Sequence, residues 1–290
     1  MRTWKRVSAY FFVLPCLALF GVFLFYPFAK TIYLSLYKTN NLGQAQIYVG
    51  LDNYREVLQS ASFHNSLKVT LIFVFIVVLV SMLMGLFNAL LCQKSFPGIR
   101  FFSMAYALPM SIASASAAMI FRLMLDPTIG IVNKLLGLNI SWIQDPHYAL
   151  LSVALLTAWL NSGINFLYFS AGLTTIDETL YERASVDGAN EWQKLFRITL
   201  PSLRPILFYT LVVNIILAFQ SFGQVKILTS GGPGESTNLI VFSIYRNAFF
   251  NFRFGTAATE SVILFFIIFI LTLLMFRSEN KNNSPKKESK

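Results

Sequence analysis

The sequence predicts an all-α integral membrane protein with six transmembrane helices, and three observations support that class. Charged residues make up 12% of the chain and apolar ones 56%, whereas soluble domains carry about 25% charged residues. Apolar runs of spanning length recur along the chain, and a bilayer crossing takes about 20 mainly apolar residues. The basic residues behind the net charge of +10 cluster beside those runs. In a soluble protein that balance would point to nucleic acid; here it reads as membrane orientation, and no nucleic-acid partner is expected.

The first span is expected at 9–31. Met1 to Arg6 followed by an apolar run superficially resembles a signal peptide, but the uncharged stretch 7–29 is longer than a signal core and no small-residue cleavage site follows. It is therefore read as a helix that stays. Residues 1–66 form the N-terminal tail, this helix and an outer loop, in which 36–66 hold a short interfacial helix beginning near Asp52. The core transmembrane domain is expected over 67–277. Its first span, 67–92, is apolar all round and is assigned to the lipid-facing side.

The next span, 101–125, differs. It is rich in Ala and Ser with Pro109 inside it, and small residues let helix backbones approach closely, so it is placed in the packed interior. Turn signals at Asp126-Pro127 and Asp145-Pro146 mark an outer connection before the span at 149–174. A fifth span is expected at 204–226 and a sixth at 258–277. Between them, 227–257 carry Thr229-Ser-Gly-Gly-Pro-Gly, read as a flexible turn. Residues 278–290 read as a disordered polar tail. Cys16 and Cys92 both fall within apolar spans and suggest no disulfide framework.

Orientation follows from Lys and Arg. With both termini cytoplasmic, the inner segments hold Arg2, Lys5, Arg6, Lys94, Arg100, Arg183, Lys194, Arg197, Arg204, Arg277, Lys281, Lys286, Lys287 and Lys290 out of 23 basic residues. That arrangement turns the polar hairpin 175–205 toward the cytoplasm.

This hairpin is the most informative stretch. Thr175 and Asp177 compete as the N-cap of a first short helix, and Gly188 ends it in a left-handed conformation. Asn190 caps a second helix carrying Trp192, Leu195, Phe196 and Thr199 on one face, and Pro201 and Pro205 are expected to stop it. An amphipathic loop lying on lipid headgroups is the competing reading. The acids Glu182, Asp187 and Glu191 among its bases weaken that alternative.

The series Glu182-x-Ala184-x-x-Asp187-Gly188-Ala189, then Phe196-x-Ile198-x-Leu200-Pro201-x-x-x-Pro205, resembles the EAA motif of permease subunits of bacterial ATP-binding-cassette (ABC) importers. Arg183 stands where the motif's name expects Ala. Gly50-Leu-Asp-Asn-Tyr54, Trp159 and Leu228-Thr-Ser-Gly-Gly-Pro233 extend the similarity to the carbohydrate branch, with its maltose-type and glycerol-3-phosphate-type permeases. Val213-Asn-Ile and Ile244-Tyr-Arg are similar to the first permease subunit of the sn-glycerol-3-phosphate importers.

The resemblance implies a type I ABC importer permease fold in a bacterial cell membrane. It also implies a second permease subunit, a different chain, as partner. Two copies of a cytoplasmic ATPase would bind ATP and Mg, and an extracytoplasmic solute-binding protein would deliver the cargo. The hairpin then becomes the coupling helix, with Glu182, Ala184, Asp187, Gly188, Ala189, Trp192, Leu195, Phe196 and Pro201 as its ATPase-coupling residues.

No nucleotide-binding G-x-x-x-x-G-K-[ST] signature is present, and His64 and His147 lack metal-ligand spacing. The chain is therefore expected to be non-catalytic and to hold no cofactor itself. Polar groups at membrane depth face a cavity or another helix. The candidates are Asn161 and Asn165 in the fourth span, and Asn214, Gln220 and Ser221 in the fifth. In maltose-type relatives, positions matching Leu160, Asn161, Ile164, Asn214, Ala218 and Ser221 line the sugar, so the substrate-pathway set is Leu160, Asn161, Ile164, Asn165, Asn214, Ala218, Gln220 and Ser221. Helix–helix hydrogen bonding is an equally weighted alternative for each. Glu260 is expected to pair with Arg246 or Arg253. A self-contained secondary transporter or channel remains the rival function, and an integral-membrane enzyme a weaker third.

Overall fold

The computed structural model describes residues 12–93 and 97–283, with side chains to residue 279. Arg2, Lys5, Arg6, Lys94, Lys286, Lys287 and Lys290 lie outside the described residues, as do the first residues of the expected 9–31 span. The same holds for the side chain of Lys281 and for the tail beyond 283. Among the described residues, four helices are long and apolar enough to cross a membrane, and up to six spans result if two bent helix pairs each count as one.

The chain divides into two units: Met1–His64 with Ser243–Ile267, and Asn65–Phe242 with Ile268–Lys290. In the first unit, α1 (Phe12–Ser35) contains a π turn at Gly21–Phe25 and buries none of its most apolar stretch within the chain. A two-stranded antiparallel ribbon follows, β1 (Tyr37–Thr39) and β2 (Ala45–Tyr48), which qualifies the all-α expectation. Helix α2 (Asp52–Gln59) starts where the interfacial helix was expected. Its buried Asn53 donates from Nδ2 to Ser35 O at 2.8 Å and Tyr37 O at 3.0 Å, closing the end of α1.

The second unit is built around α3 (Ala61–Leu91), which enters it at Asn65. The lipid-facing assignment holds for one face of this helix only: 44% of its most apolar stretch is buried, including Phe73, Val77 and Ser81, while Leu71, Phe75, Leu79, Leu83 and Phe87 stay exposed. An all-round apolar surface suits lipid and protein interior equally, so hydropathy could not decide between them. Packing could. At Gly85 a Cβ would stand 2.5 Å from Asn165 Cβ, so the two helix backbones meet where only glycine fits.

The Ala/Ser-rich span, expected in the packed interior, meets the chain closely at its bend, where a Cβ on Gly163 would stand 3.0 Å from Ala107 O and Met110 N. It breaks into α4 (Ile99–Ala107) with a 3-10 turn at Leu108–Ser111, and α5 (Ser114–Met124), bent by 102°. Pro109 lacks an N–H and sits in the 3-10 turn, which is where the helical ladder gives way. Only Ala117 and Ala118 of α5 are buried in the chain. A short helix, α6 (Ile131–Leu136), leads to α7 (Pro146–Leu173), the most buried span at 61%.

The hairpin helices are α8 (Glu178–Val186) and α9 (Glu191–Ser202), and α9 is bent by 67° from α10 (Arg204–Phe219). The fifth span expected at 204–226 therefore stops at Phe219; α11 (Gly223–Leu228) is separate and packs on α5. The Thr229 turn is tied by side-chain hydrogen bonds: Thr237 Oγ1 donates to Gly232 O at 2.7 Å and lies 2.7 Å from Thr229 Oγ1. After α12 (Ile240–Phe249), α13 (Phe254–Asn283) outruns the span expected at 258–277. It stays helical through 278–283, where a disordered tail was expected, and Arg204 Nε approaches Glu279 Oε1 to 3.8 Å in that last stretch.

Candidate functional site: an exposed hairpin and a buried amide clamp

Local chemistry shapes the hairpin. Asp177 caps α8 by accepting from Thr179 N at 3.0 Å, which settles the competition with Thr175. At the other end Ala189 N donates to Ala184 O at 2.9 Å and Gly188 N to Ser185 O at 3.1 Å, a Schellman closure. That closure needs a left-handed residue, and Gly188 has φ +78° with open space around its Cα. Asn190 and Gln193 then form a reciprocal capping box, each bond 2.8 Å.

The expectation that Pro201 stops the second helix is corrected. The helix runs through Pro201 to Ser202 by adopting a π turn at Leu195–Thr199, in which Leu200 N bonds to Leu195 O. Proline removes one N–H from the ladder, and shifting to i→i+5 bonding one residue earlier accommodates the loss without ending the helix. The break comes instead at Leu203, ahead of Pro205. Tyr181 OH lies 2.9 Å from Thr199 Oγ1 and ties α8 to α9.

The hairpin presents apolar side chains to the outside. Trp192 is 70% exposed and Phe196 61%, their rings nearly parallel at 16° with centroids 6.2 Å apart. Val186, at the tip, is 87% exposed. Glu182, Asp187 and Pro201 are exposed as well, while Ala184, Ala189 and Leu195 are half-buried. Beneath the hairpin a cavity of about 570 Å³ is lined by Leu173, Glu178, Tyr181, Lys194 and Thr199 among others. All nine coupling candidates thus lie on one hairpin, and the sequence reading missed only this cavity, which depends on the fold above it.

The pathway candidates separate into two groups. Asn165 and Asn214 are fully buried and bind each other: Asn214 Nδ2 donates to Asn165 Oδ1 at 2.7 Å, and Asn165 Nδ2 to Asn214 Oδ1 at 3.2 Å. Ser81 Oγ donates to the same Asn214 oxygen at 3.1 Å, and Asn214 Nδ2 also reaches Thr210 O at 2.8 Å. For these two residues, helix–helix hydrogen bonding is what the structure contains: an amide clamp joining α3, α7 and α10. Ser81 was not singled out from the sequence, since one Ser in an apolar run carries no signal. Leu160, Ala218 and Ser221 are buried too, whereas Asn161 and Ile164 are half-buried and Gln220 is exposed.

Glu260 does not pair with Arg253. Its Oε1 accepts from Ser243 Oγ at 3.3 Å and Asn247 Nδ2 at 2.9 Å, while Arg253 pairs with Glu56 and Arg246 Nη2 donates to Ser62 Oγ. On the loops, Asp126 is held well below the ordinary carboxylate range by the Thr128 hydroxyl and by the backbone N–H groups of Ile129 and Thr128.

Comparison with known proteins decides the family. Residues 97–283 match the family described as binding-protein-dependent transport system inner membrane component. The chain belongs to this family. It is accordingly a multi-pass membrane component of a transporter and non-catalytic, which sets aside the self-contained secondary transporter or channel and the membrane enzyme. The chain is 36% identical, over 96% of both chains, to the sn-glycerol-3-phosphate transport system permease protein UgpA of Agrobacterium fabrum. It is 32% identical to the UgpA of Pectobacterium atrosepticum over 92% of both. Among solved structures, a bacterial ABC transporter involved in the import of the acidic polysaccharide alginate matches with TM-score 0.82 at 23% identity, over 98% of this chain and 100% of that one. The same transporter type in complex with an alginate pentasaccharide-bound periplasmic protein matches with TM-score 0.85 at 22% identity, covering 98% and 99%. Those two likenesses are ones of fold.

Proposed function

We propose that the chain is one of two permease subunits of an ATP-driven importer for sn-glycerol-3-phosphate or a related carbohydrate. The observation that carries this reading is the 36% identity to a glycerol-3-phosphate permease along 96% of both chains. A second, different permease chain completes the passage, and an extracytoplasmic binding protein delivers the cargo. Two cytoplasmic ATPase copies bind ATP and Mg. The chain crosses the bacterial cell membrane six times, each bent pair counted as one span, with both termini cytoplasmic. The 175–205 hairpin couples it to the ATPase through Glu182, Ala184, Asp187, Gly188, Ala189, Trp192, Leu195, Phe196 and Pro201. An exposed Trp–Phe pair on a polar hairpin suits burial in a partner's cleft, because large aromatics dominate binding energy once water is excluded.

Within the membrane, Asn161, Ile164 and Gln220 are the pathway candidates that retain exposed surface; Leu160, Ala218 and Ser221 shape the passage behind them. Asn165 and Asn214 contribute by holding α7 and α10 in register. The test is reconstitution in proteoliposomes with the second permease, the ATPase and the binding protein. ATP-dependent uptake of labelled sn-glycerol-3-phosphate is expected, and Asn161→Leu is expected to lower it with the complex intact. Uptake by the purified chain alone, without ATPase, would end this reading.

A further inference from the structure

One cavity takes no part in either site above. It lies wholly within the first unit, measures about 400 Å³, and its wall includes Glu56, Ser62, Arg246, Asn247, Arg253 and Glu260. Small-molecule sites occupy roughly 300–1,000 Å³. Glu260 is the distinctive member. It is 3% exposed, its Oε1 is hydrogen-bonded by Ser243 and Asn247, and its Oε2 is buried with no hydrogen-bond partner. A buried carboxylate oxygen in that state is strongly disfavoured unless a donor reaches it.

The charge of the wall narrows the donor. Glu56 and Glu260 are balanced by Arg246 and Arg253. A divalent metal ion would meet two guanidinium groups and is disfavoured by them. A zwitterion fits better, with an ammonium donating to Glu260 and an anionic group toward the arginines. Position narrows it again. Glu260 follows Phe254, the first residue of α13, by about 9 Å along the axis at 1.5 Å per residue. Phe249, Phe250 and Phe252, just before that helix, are 50–65% exposed. Exposed apolar rings clustered beside the start of a span suit contact with lipid.

We propose that this cavity binds the headgroup of an ethanolamine phospholipid. The primary ammonium donates to the Glu260 carboxylate, the phosphate faces Arg246 and Arg253, and the acyl chains run past Phe249, Phe250 and Phe252. A quaternary choline has no N–H to give, so the site distinguishes the two zwitterionic headgroups by hydrogen bonding rather than by charge.

The assembled importer, purified in detergent, would be incubated with an equimolar mixture of phosphatidylethanolamine, phosphatidylcholine and phosphatidylglycerol. Retained lipid would then be quantified by mass spectrometry. Phosphatidylethanolamine is expected to be retained over phosphatidylcholine, and Glu260→Gln, which keeps the shape, to reduce that preference about tenfold by removing one charge-assisted hydrogen bond. Equal retention of the two lipids by the unmodified complex would overturn the proposal, even if Glu260→Gln fails to assemble. So would an unchanged preference in that variant. Competition by soluble phosphoethanolamine at equal concentration would overturn the lipid assignment, since a membrane lipid gains affinity from its chains.

Discussion

The amide clamp and the hairpin tip invert the usual rule for where polar and apolar side chains belong, and they do so in opposite directions. In the clamp, Asn165, Asn214 and Ser81 are buried among apolar helices and bind one another. At the tip, Trp192, Phe196 and Val186 stand exposed on a polar hairpin. The clamp is complete within the chain, because each amide finds donors and acceptors on neighbouring helices. The tip has no such completion, since stacking Trp192 on Phe196 leaves both rings largely open. A buried polar group that is satisfied holds a fold together; an exposed apolar group that is not covered waits for something to cover it. One region is therefore structural and the other fits the interface proposed above, although sequence patterning alone marks both as functional.

The sharpest way to break this contrast is to remove the two rings. The double substitution Trp192→Ala with Phe196→Ala is expected to leave the chain folded and inserted, since neither side chain packs into its core. Binding of the ATPase subunits should weaken by more than about 2 kcal/mol, the scale of an aromatic hot spot, which is roughly thirtyfold in affinity. Co-purification of ATPase with the membrane subunits reads this directly. Undiminished co-purification would show that the exposed rings are not the interface.

The clamp predicts the opposite pattern. Asn214→Leu would leave Asn165 and Ser81 without their partner in an apolar surrounding, at a cost of about 1–3 kcal/mol. Helix–helix hydrogen bonds in membrane proteins average nearer about 0.6 kcal/mol, so a value in the higher range would mark the clamp as structurally unusual. Thermal unfolding in detergent supplies the measurement, and ATPase binding should persist below the transition. Replacing both Asn165 and Asn214 by Leu should cost less than the two single changes added together. Strict additivity would mean that the two amides do not act as a pair.

The same contrast explains what could be read from the sequence. Asp177, Gly188 and Asn190 were legible because caps and left-handed turns are set by a few neighbouring residues; Asp52 opens α2 without capping it, as an acid in the first turn that suits the helix dipole. The clamp was legible only as a set of candidates, because whether an Asn in a span meets another helix or a cavity depends on residues distant in sequence. The buried face of α3 was missed for a related reason: a helix apolar on every face looks the same beside lipid and beside protein. What distinguishes it is Gly85 against Asn165, a contact between positions 80 residues apart. Pro201 shows the complementary error, in which a residue that ends helices in isolation is absorbed by a π turn when the surrounding chain continues to pack.

The smallest effect is expected at a cap that belongs to neither region but supports one of them. Asp145 starts α7, the helix that carries Asn165, by accepting from His147 N at 2.9 Å, and its Oδ1 also lies 2.9 Å from His147 Nδ1. The backbone N–H of His147, and then its ring, hold the Asp145 carboxyl below its ordinary value of 3.8. A carboxyl depressed on folding contributes stability that is fully present above its ordinary value and is lost as pH falls through the lower folded value. Asp145→Asn keeps a side chain that caps well, so it should leave stability near neutral pH almost unchanged. It should also flatten the decline in thermal stability below about pH 4, because Asn has no proton to gain. If the variant and the unmodified chain lose stability in parallel on acidification, Asp145 contributes nothing to that decline. In that case α7 is held in place by the clamp and its apolar packing alone.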